Sequence, residues 1–109
     1  MKVMSRTGLF VSITAAAVLL LGCNHDAENG KQVFNDQCSG CHNADSTDRK
    51  VGPGLKGLFQ HDKLPISGKN VSVSNVRARI DEGGNGMPPF DQVLSDQDKT
   101  ALMAYLKTI

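Results

Sequence analysis

The seven residues from Asp36 to His42, DQCSGCH, place two cysteines three positions apart and a histidine directly after the second cysteine. Two thiols and one imidazole this close together are typical of four kinds of site: a disulfide corner, part of a zinc site, a redox dithiol or the anchor of a cofactor. Each kind of site makes different demands on the rest of the chain, so the surrounding sequence is used to choose between them.

The spacing of Cys38, Cys41 and His42 suits a covalently bound haem. A c-type haem carries vinyl groups on two neighbouring rings, and two thiols three positions apart at the end of a helix can bond to both. The imidazole that follows can then supply a nitrogen ligand to the iron. The added histidine distinguishes this attachment pattern, C-x-x-C-H, from a simple cysteine pair.

Zinc binding and thioredoxin-like chemistry fit the chain less well. A tetrahedral zinc site needs four ligands, and outside the motif only His25 and His61 offer imidazoles, with no second cysteine pair. A thioredoxin-like dithiol requires strands that alternate with helices around the motif, and no such pattern is present. An ordinary disulfide between Cys38 and Cys41 stays open, because free thiols of an exported protein tend to oxidise.

The beginning of the chain predicts export from the cytoplasm. Lys2 and Arg6 precede an uncharged run of 14 residues from Gly8 to Leu21. This run is shorter than the roughly 20 residues that a membrane-spanning helix needs. A positive segment followed by a short apolar run is instead typical of a secretory signal that is removed.

The four residues from Leu20 to Cys23, LLGC, resemble the lipobox of bacterial lipoproteins, in which the cysteine is acylated and becomes the new N-terminus. We therefore predict a lipoprotein signal peptide over residues 1–22, a lipid anchor at Cys23 and a tether over residues 23–28. Ordinary cleavage and an uncleaved anchor are the alternatives. The predicted location is the periplasmic or extracytoplasmic face, with the lipid holding the protein to the membrane.

The part of the chain after the signal is large enough for one domain, but its core is thin. At this size, burial of apolar surface only just offsets the conformational entropy of the chain. The aromatic residues available for the core are few: Phe34, Phe59, Phe90 and Tyr105. We therefore expect a bound group to fill part of the interior.

Two helices are predicted to cross near the ends of the domain. The first begins near Asp26 or Ala27 and presents one apolar face up to the cysteine motif. The last runs from Asp96 to about Thr108, with Ser95 as its N-cap. Four residues are predicted to form the crossing: Gly30, Phe34, Leu102 and Tyr105.

A third, shorter helix is predicted over residues 75–82, with Val76 and Ile80 facing inward. Arg77 and Arg79 lie in the same segment. They are either solvated charges or groups that approach a carboxylate of the cofactor, and the sequence does not choose between these roles.

A second iron ligand is predicted in residues 83–90, GGNGMPPF. The glycines permit a close approach of the backbone, whereas Pro88 favours an extended conformation at Met87 and stiffens the segment that follows. Met103 belongs to the last helix, so Met87 is the better candidate for the ligand. Without the cysteine motif, the same segment would predict only a surface turn with a buried methionine.

Taken in order, these segments resemble the class I c-type cytochromes, of the short bacterial monohaem kind. The resemblance covers residues 29–109 through GKQVFNDQCSGCH, VGPGLKGLF, GGNGMPPF and LSDQDKTALMAYLKTI. It implies an all-α cytochrome c fold of three to four helices wrapped round one covalent haem c. The implied roles are haem attachment at Cys38 and Cys41, and axial iron ligation by His42 and Met87.

The segment VGPGLKGLF acquires further roles from this resemblance. In the family, a proline carbonyl accepts a hydrogen bond from the second nitrogen of the haem histidine, and Pro53 matches that position. The implied haem-packing residues are all apolar: Leu55, Leu58, Phe59 and Phe90.

A haem iron with two permanent ligands predicts an electron carrier rather than an enzyme such as a peroxidase. The implied partners are redox proteins, namely an upstream donor and a membrane oxidase or reductase; a haem sensor or a dedicated subunit of a larger complex is the alternative. After the signal segment the chain carries 10 Lys and Arg against 11 Asp and Glu. This balance gives no basic surface for nucleic acid, and we expect a monomer.

Overall fold

The computed structural model describes residues 21–109, with side chains from residue 25 onward. It contains three α-helices and one 3₁₀ turn: α1 (Leu21–Gln37), the 3₁₀ turn Leu58–Gln60, α2 (Val73–Glu82) and α3 (Asp96–Leu106). Within these residues there is no β-strand, and the only bridges are Lys63–Asn70 and Gly84–Met87. The predicted all-α architecture is confirmed.

The helix α1 begins at Leu21, well before the predicted start near Asp26 or Ala27. The prediction followed the apolar face of the helix, whose first member is Gly30. No proline or glycine occurs between residues 23 and 29, however, so nothing in this stretch stops the helix from continuing upstream. Residues 23–28, predicted as a tether, are therefore helical.

The predicted signal peptide lies outside the described residues, apart from the backbone of Leu21 and Gly22, and so does the side chain of Cys23. In the described part of the chain, no helix has both the length and the apolar character needed to cross a bilayer.

The helices α1 and α3 cross at Gly30. A Cβ atom at this position would collide with the carbonyl oxygen of Ala101 and would lie 2.8 Å from the Cβ atom of Tyr105. The ring of Phe34 lies one turn further along, with its centroid 5.5 Å from that of Tyr105 and the planes inclined by 56°, which is a favourable geometry for an aromatic pair. The predicted crossing is present, with Ala101 rather than Leu102 directly against Gly30.

Both shorter helices begin at serine caps. The hydroxyl of Ser72 accepts a hydrogen bond from the N–H of Asn75 at 3.1 Å, so α2 begins at Val73, two residues before the predicted start. The hydroxyl of Ser95 accepts from the N–H of Asp98 at 3.0 Å, and the Asp98 carboxylate accepts from the N–H of Ser95 at 3.2 Å. This reciprocal pair is a capping box and fixes the start of α3 where the sequence predicted it.

The buried apolar residues form one cluster drawn from all three helices and from the loops that join them. Its members are Phe34, Leu58, Leu64, Val76, Ile80, Phe90, Leu94, Leu102, Met103 and Leu106. Leu102 is the most buried of them, with 1% of its surface exposed. This cluster surrounds a cavity, and the cavity contains the candidate site.

Candidate functional site

The cysteine motif continues α1 as one further turn. The N–H groups of Cys38 and Ser39 donate to the carbonyl of Phe34 at 2.8 and 2.9 Å, and those of Cys41 and His42 donate to the carbonyl of Cys38 at 3.1 and 2.9 Å. Because these hydrogen bonds wind the motif tightly, both thiols and the imidazole reach the same cavity.

The two thiols are free in the structure. Burial, followed by the charge of Cys41, raises the pKa of the Cys38 thiol to about 11. A redox dithiol requires the opposite shift, because its attacking cysteine must ionise near neutral pH. The environment of Cys38 therefore disfavours a thioredoxin-like role for this pair.

The imidazole of His42 is held by the loop that follows the motif. Its Nδ1 atom lies 2.8 Å from the carbonyl oxygen of Pro53. A carbonyl only accepts hydrogen bonds, so Nδ1 carries the proton and Nε2 keeps its lone pair for a metal. The sequence resemblance implied this contact between Pro53 and His42.

Gly52 is a site residue that the sequence analysis did not single out. A Cβ atom there would lie 2.6 Å from Cε1 of the His42 ring, and the Gly52 N–H donates to the Cys41 carbonyl at 2.8 Å. The backbone at this position therefore packs directly against the imidazole. The signal that could have identified Gly52 is its place immediately before the proline in VGPG.

A cavity of about 190 Å³ lies beside the motif. Its apolar lining includes side chains from the three helices and the connecting loops: Phe34, Leu55, Leu58, Leu64, Val76, Ile80, Phe90, Leu102 and Leu106. Three of the four residues predicted to pack on the haem thus line it. Phe59 does not, because it follows Leu58 in a 3₁₀ turn, where successive side chains point in different directions; it packs against the core cluster instead.

Met87 lines the same cavity, so the structure brings it together with Cys38, Cys41 and His42. It closes a tight turn, in which the N–H of Gly84 donates to the Met87 carbonyl at 2.9 Å and the N–H of Met87 donates back at 3.1 Å. The two central residues, Asn85 and Gly86, have φ values of 53° and 89°, as two-residue hairpin turns require.

Charged side chains also reach the cavity. Arg49 and Arg79 line it, and Arg79 donates to the Gly83 carbonyl at 2.8 Å. Arg77 turns away and forms an ion pair of 2.8 Å with Asp96. The sequence left open whether Arg77 and Arg79 are solvated charges or approach the cofactor, and in the structure only Arg79 reaches the cavity. Arg49 was not predicted, because the polar segment around it has no recognisable pattern.

Among the side chains that the structure describes, those of residues 25–109, no group of three or more His, Cys, Asp or Glu is arranged to hold a metal ion by itself. Cys38, Cys41 and His42 all line the cavity described above. This arrangement suits a group that bridges the three side chains.

Comparisons with known proteins agree with this arrangement. The family model described as Cytochrome c matches residues 27–109. Over 50 residues the chain is 40% identical to cytochrome c 2.1 of Caenorhabditis elegans, a match that covers 46% of this chain and 45% of that protein. Over 81 residues it is 36% identical to cytochrome c6 of Synechocystis, covering 74% of this chain and 63% of that protein. The chain thus spans less than two thirds of the length of these relatives.

A solved structure from the same group of proteins has a fold similar to that of this chain. Cytochrome c6 from the diatom Phaeodactylum tricornutum superposes with a TM-score of 0.60 at 25% sequence identity, covering 76% of this chain and 92% of the diatom protein. The fold of this chain is therefore similar to that of the diatom protein.

Proposed function

This chain belongs to the cytochrome c family, and from that premise we propose that it is a one-electron carrier whose haem iron is ligated by His42 and Met87. Family membership implies one covalently bound haem c with its iron, and Cys38 and Cys41 fit the attachment motif. The observation that carries the proposal is the placement of the two thiols, His42 and Met87 on one apolar cavity, although Met87 is distant from the others in sequence.

The residues around the cavity fit a haem. Two free thiols with the attachment spacing face it from the end of α1. The hydrogen bond from His42 to Pro53 leaves Nε2 available as a ligand. The lining is mainly apolar, as a macrocycle requires, and the surrounding core is small enough to need such a group for its stability.

When bound, the haem supplies the redox chemistry, because its iron alternates between ferric and ferrous states. The chain's own residues set the conditions for this exchange. The Pro53 carbonyl fixes the orientation of the His42 ring and makes it a stronger donor. The thioether of Met87 is soft and uncharged, and the apolar lining excludes water; both favour the ferrous form, which carries one less positive charge.

A peroxidase is the rival activity. It needs an open metal position and a nearby acid or base. The one candidate helper in the sequence, His61, is exposed and does not line the cavity. The carrier is therefore the better-supported function.

The proposed setting is the extracytoplasmic face of a membrane, with a lipid on Cys23 and redox proteins as donor and acceptor. The signal pattern and the lipobox support this proposal. Because residues 23–28 are helical, they span only about 9 Å at 1.5 Å per residue. A lipid on Cys23 would thus hold the domain close to the membrane, where membrane-bound partners are accessible.

Substitution of Met87 tests the ligand assignment. In the haem-loaded protein, Met87→Ala is expected to keep the covalent haem in an intact-mass measurement, to lose the absorption of the methionine–iron bond and to lower the reduction potential. The matched control is Met103→Leu, since Met103 is buried in α3 and does not line the cavity. An unchanged spectrum in Met87→Ala would overturn the proposed ligation.

The lipid proposal has its own test. Cys23→Ser is expected to release the protein from the membrane fraction or to block its maturation, whereas Asn24→Ser should leave it attached. Mass spectrometry of the N-terminal peptide then identifies the acyl group. Attachment that persists in Cys23→Ser would contradict the lipid anchor.

A separate observation distinguishes a free carrier from a dedicated subunit. Stable co-purification of the protein with one enzyme would favour the subunit.

A further inference from the structure

Lys99 is a buried charged residue that the proposed electron transfer does not use. It lies in α3 with 4% of its surface exposed, and a lysine this buried almost always has a charged partner. Its Nζ atom lies 2.7 Å from Oδ1 of Asp81 and 3.5 Å from Oδ1 of Asp91. Among the described residues, the buried Oδ1 of Asp81 has no hydrogen-bond partner apart from this ammonium.

The two carboxylates lie on either side of the segment that presents Met87. We call residues 83–90 the Met87 loop. Asp81 is in the last turn of α2, just before the loop, and Asp91 follows the loop directly. One ammonium group on α3 therefore contacts the chain at both ends of the Met87 loop, and the hydrogen bond from the N–H of Phe90 to the carbonyl of Ile80, at 2.9 Å, closes the base of the loop.

The Met87 loop needs such a restraint because of its own composition. Three of its eight residues are glycines, which have more backbone freedom than any other residue. The reciprocal hydrogen bonds between Gly84 and Met87 fix the shape of the turn, but they lie within the loop and do not hold it against the rest of the molecule. The position of the turn depends instead on contacts made at its base.

We propose that Lys99 is a positioning residue for Met87, holding both ends of the Met87 loop so that the thioether stays at the cavity. This inference rests on the proposed ligation by Met87. Lys99, Asp81 and Asp91 do not line the cavity, so the ammonium acts through the loop and not on the cofactor. A buried ion pair adds little net stability compared with apolar side chains of the same size, and fixing the position of a flexible segment gives it a role that apolar side chains would not fill.

The test compares two ion pairs that join the same two helices. Lys99→Met removes the restraint. Arg77→Met is the matched control, because the ion pair between Arg77 and Asp96, with 2.8 Å between its charged groups, also links α2 to α3 but involves no residue next to the Met87 loop. In the ferric haem-loaded protein, added imidazole must displace Met87 to bind. We expect imidazole to bind about tenfold more tightly to Lys99→Met, a change of about 1.4 kcal/mol, and to bind Arg77→Met with the wild-type affinity.

Hydrogen exchange gives a readout that does not depend on an added ligand. The amides of Gly84, Met87 and Phe90 are hydrogen-bonded at the turn and at its base. We expect them to exchange about tenfold faster in Lys99→Met, while amides in the middle of α1 keep their wild-type rates. Lys99→Arg retains the charge between the two carboxylates and should restore both the imidazole affinity and the exchange rates.

Asp91→Asn keeps the proposal falsifiable if Lys99→Met fails to fold. It leaves the Lys99–Asp81 pair intact and releases one end of the Met87 loop, with an expected increase in imidazole affinity of about threefold. Unchanged affinity and exchange in the folded variants, or an equal increase in Arg77→Met, would overturn the positioning role. Failure of the ligation itself has a different signature, because wild-type protein would then lack the methionine–iron absorption and Met87→Ala would bind imidazole no more tightly.

Discussion

The two sides of the cavity are built in opposite ways. On one side, Cys38, Cys41 and His42 follow α1 in a single turn, held by hydrogen bonds to carbonyls only three to five positions earlier in the chain. On the other side, Met87 lies in a glycine-rich loop that depends on α2 and α3 for its position. The first side is specified locally, whereas the second depends on elements that are distant in sequence.

This difference predicts two kinds of sensitivity to mutation. The histidine side is tightly packed, so added atoms should collide with the imidazole or with the backbone around it. On the methionine side, the turn has open space at Gly86, so a substitution there should act through backbone conformation, and substitutions at the base of the Met87 loop should act through loss of restraint. The following substitutions separate these two effects.

Removal of both thiols should have the largest effect. In a variant with Cys38→Ser and Cys41→Ser, the covalent haem should be lost completely, because no other described thiol faces the cavity. Intact mass under denaturing conditions measures this loss. Met87→Ala, on the opposite side, should retain the haem mass, and a haem adduct in the double serine variant would contradict the assignment of the attachment site.

Addition of one methyl group beside His42 should have the next largest effect. Gly52→Ala places a Cβ atom 2.6 Å from Cε1 of the imidazole, and crowding of this kind typically costs about 1–3 kcal/mol. We expect a loss of about 2 kcal/mol in the free energy of unfolding, measured by denaturant titration. Gly40→Ala is the control, because a Cβ atom there has no neighbour within 4 Å; equal losses in both variants would argue against a specific collision.

The corresponding substitution on the methionine side is Gly86→Ala. No atom lies within 4 Å of the added Cβ, but φ is 89°, so the cost comes from the left-handed backbone and amounts to about 1 kcal/mol. Denaturant titration measures it. Asparagine tolerates positive φ better than alanine, and Gly86→Asn should therefore lose less; a larger loss with asparagine would point to crowding instead.

The smallest expected effect is a pH dependence of the Lys99 contacts. The hydrogen bond to Asp81 is the main cause that raises the pKa of Lys99 above its usual value of 10.5, and the charge of Asp91 adds to it. A raised pKa in the folded state means that the stabilisation is present below the pKa of an unfolded lysine and is lost as the pH rises through the folded value. The difference in unfolding free energy between wild type and Lys99→Met should thus be constant from about pH 7 to 9 and should shrink as the pH rises above the usual lysine pKa of 10.5. A difference that grew with pH would contradict this assignment.

Much of the fold could be predicted from local sequence. Ser95 lies directly before an apolar stripe of helical period, and these neighbouring residues are enough to predict where α3 begins. The start of α1 was predicted too late because the apolar face of the helix begins near Gly30, whereas the helix itself continues upstream through polar residues to Leu21. Local sequence signals thus predicted that each helix exists more reliably than they predicted the residue at which it begins.

The misses at the site have a common cause. Phe59 has the composition of a packing residue, but the 3₁₀ turn directs Leu58 and not Phe59 into the cavity. Lys99 has the sequence pattern of a solvated helix residue, and its burial follows from where α2 and the segment after the Met87 loop pack against α3. Neither the direction of a side chain nor the burial of a charge is encoded within one short segment.

The sequence by itself determined the turn that carries Cys38, Cys41 and His42, because hydrogen bonds between near neighbours close that turn wherever α1 ends. It also determined the residue types, glycine and proline, that shape the segment around Met87. Only the tertiary structure decided where Met87 lies and that Lys99 holds its loop. A glycine-rich segment has many accessible conformations, and contacts with distant helices are needed to select one of them.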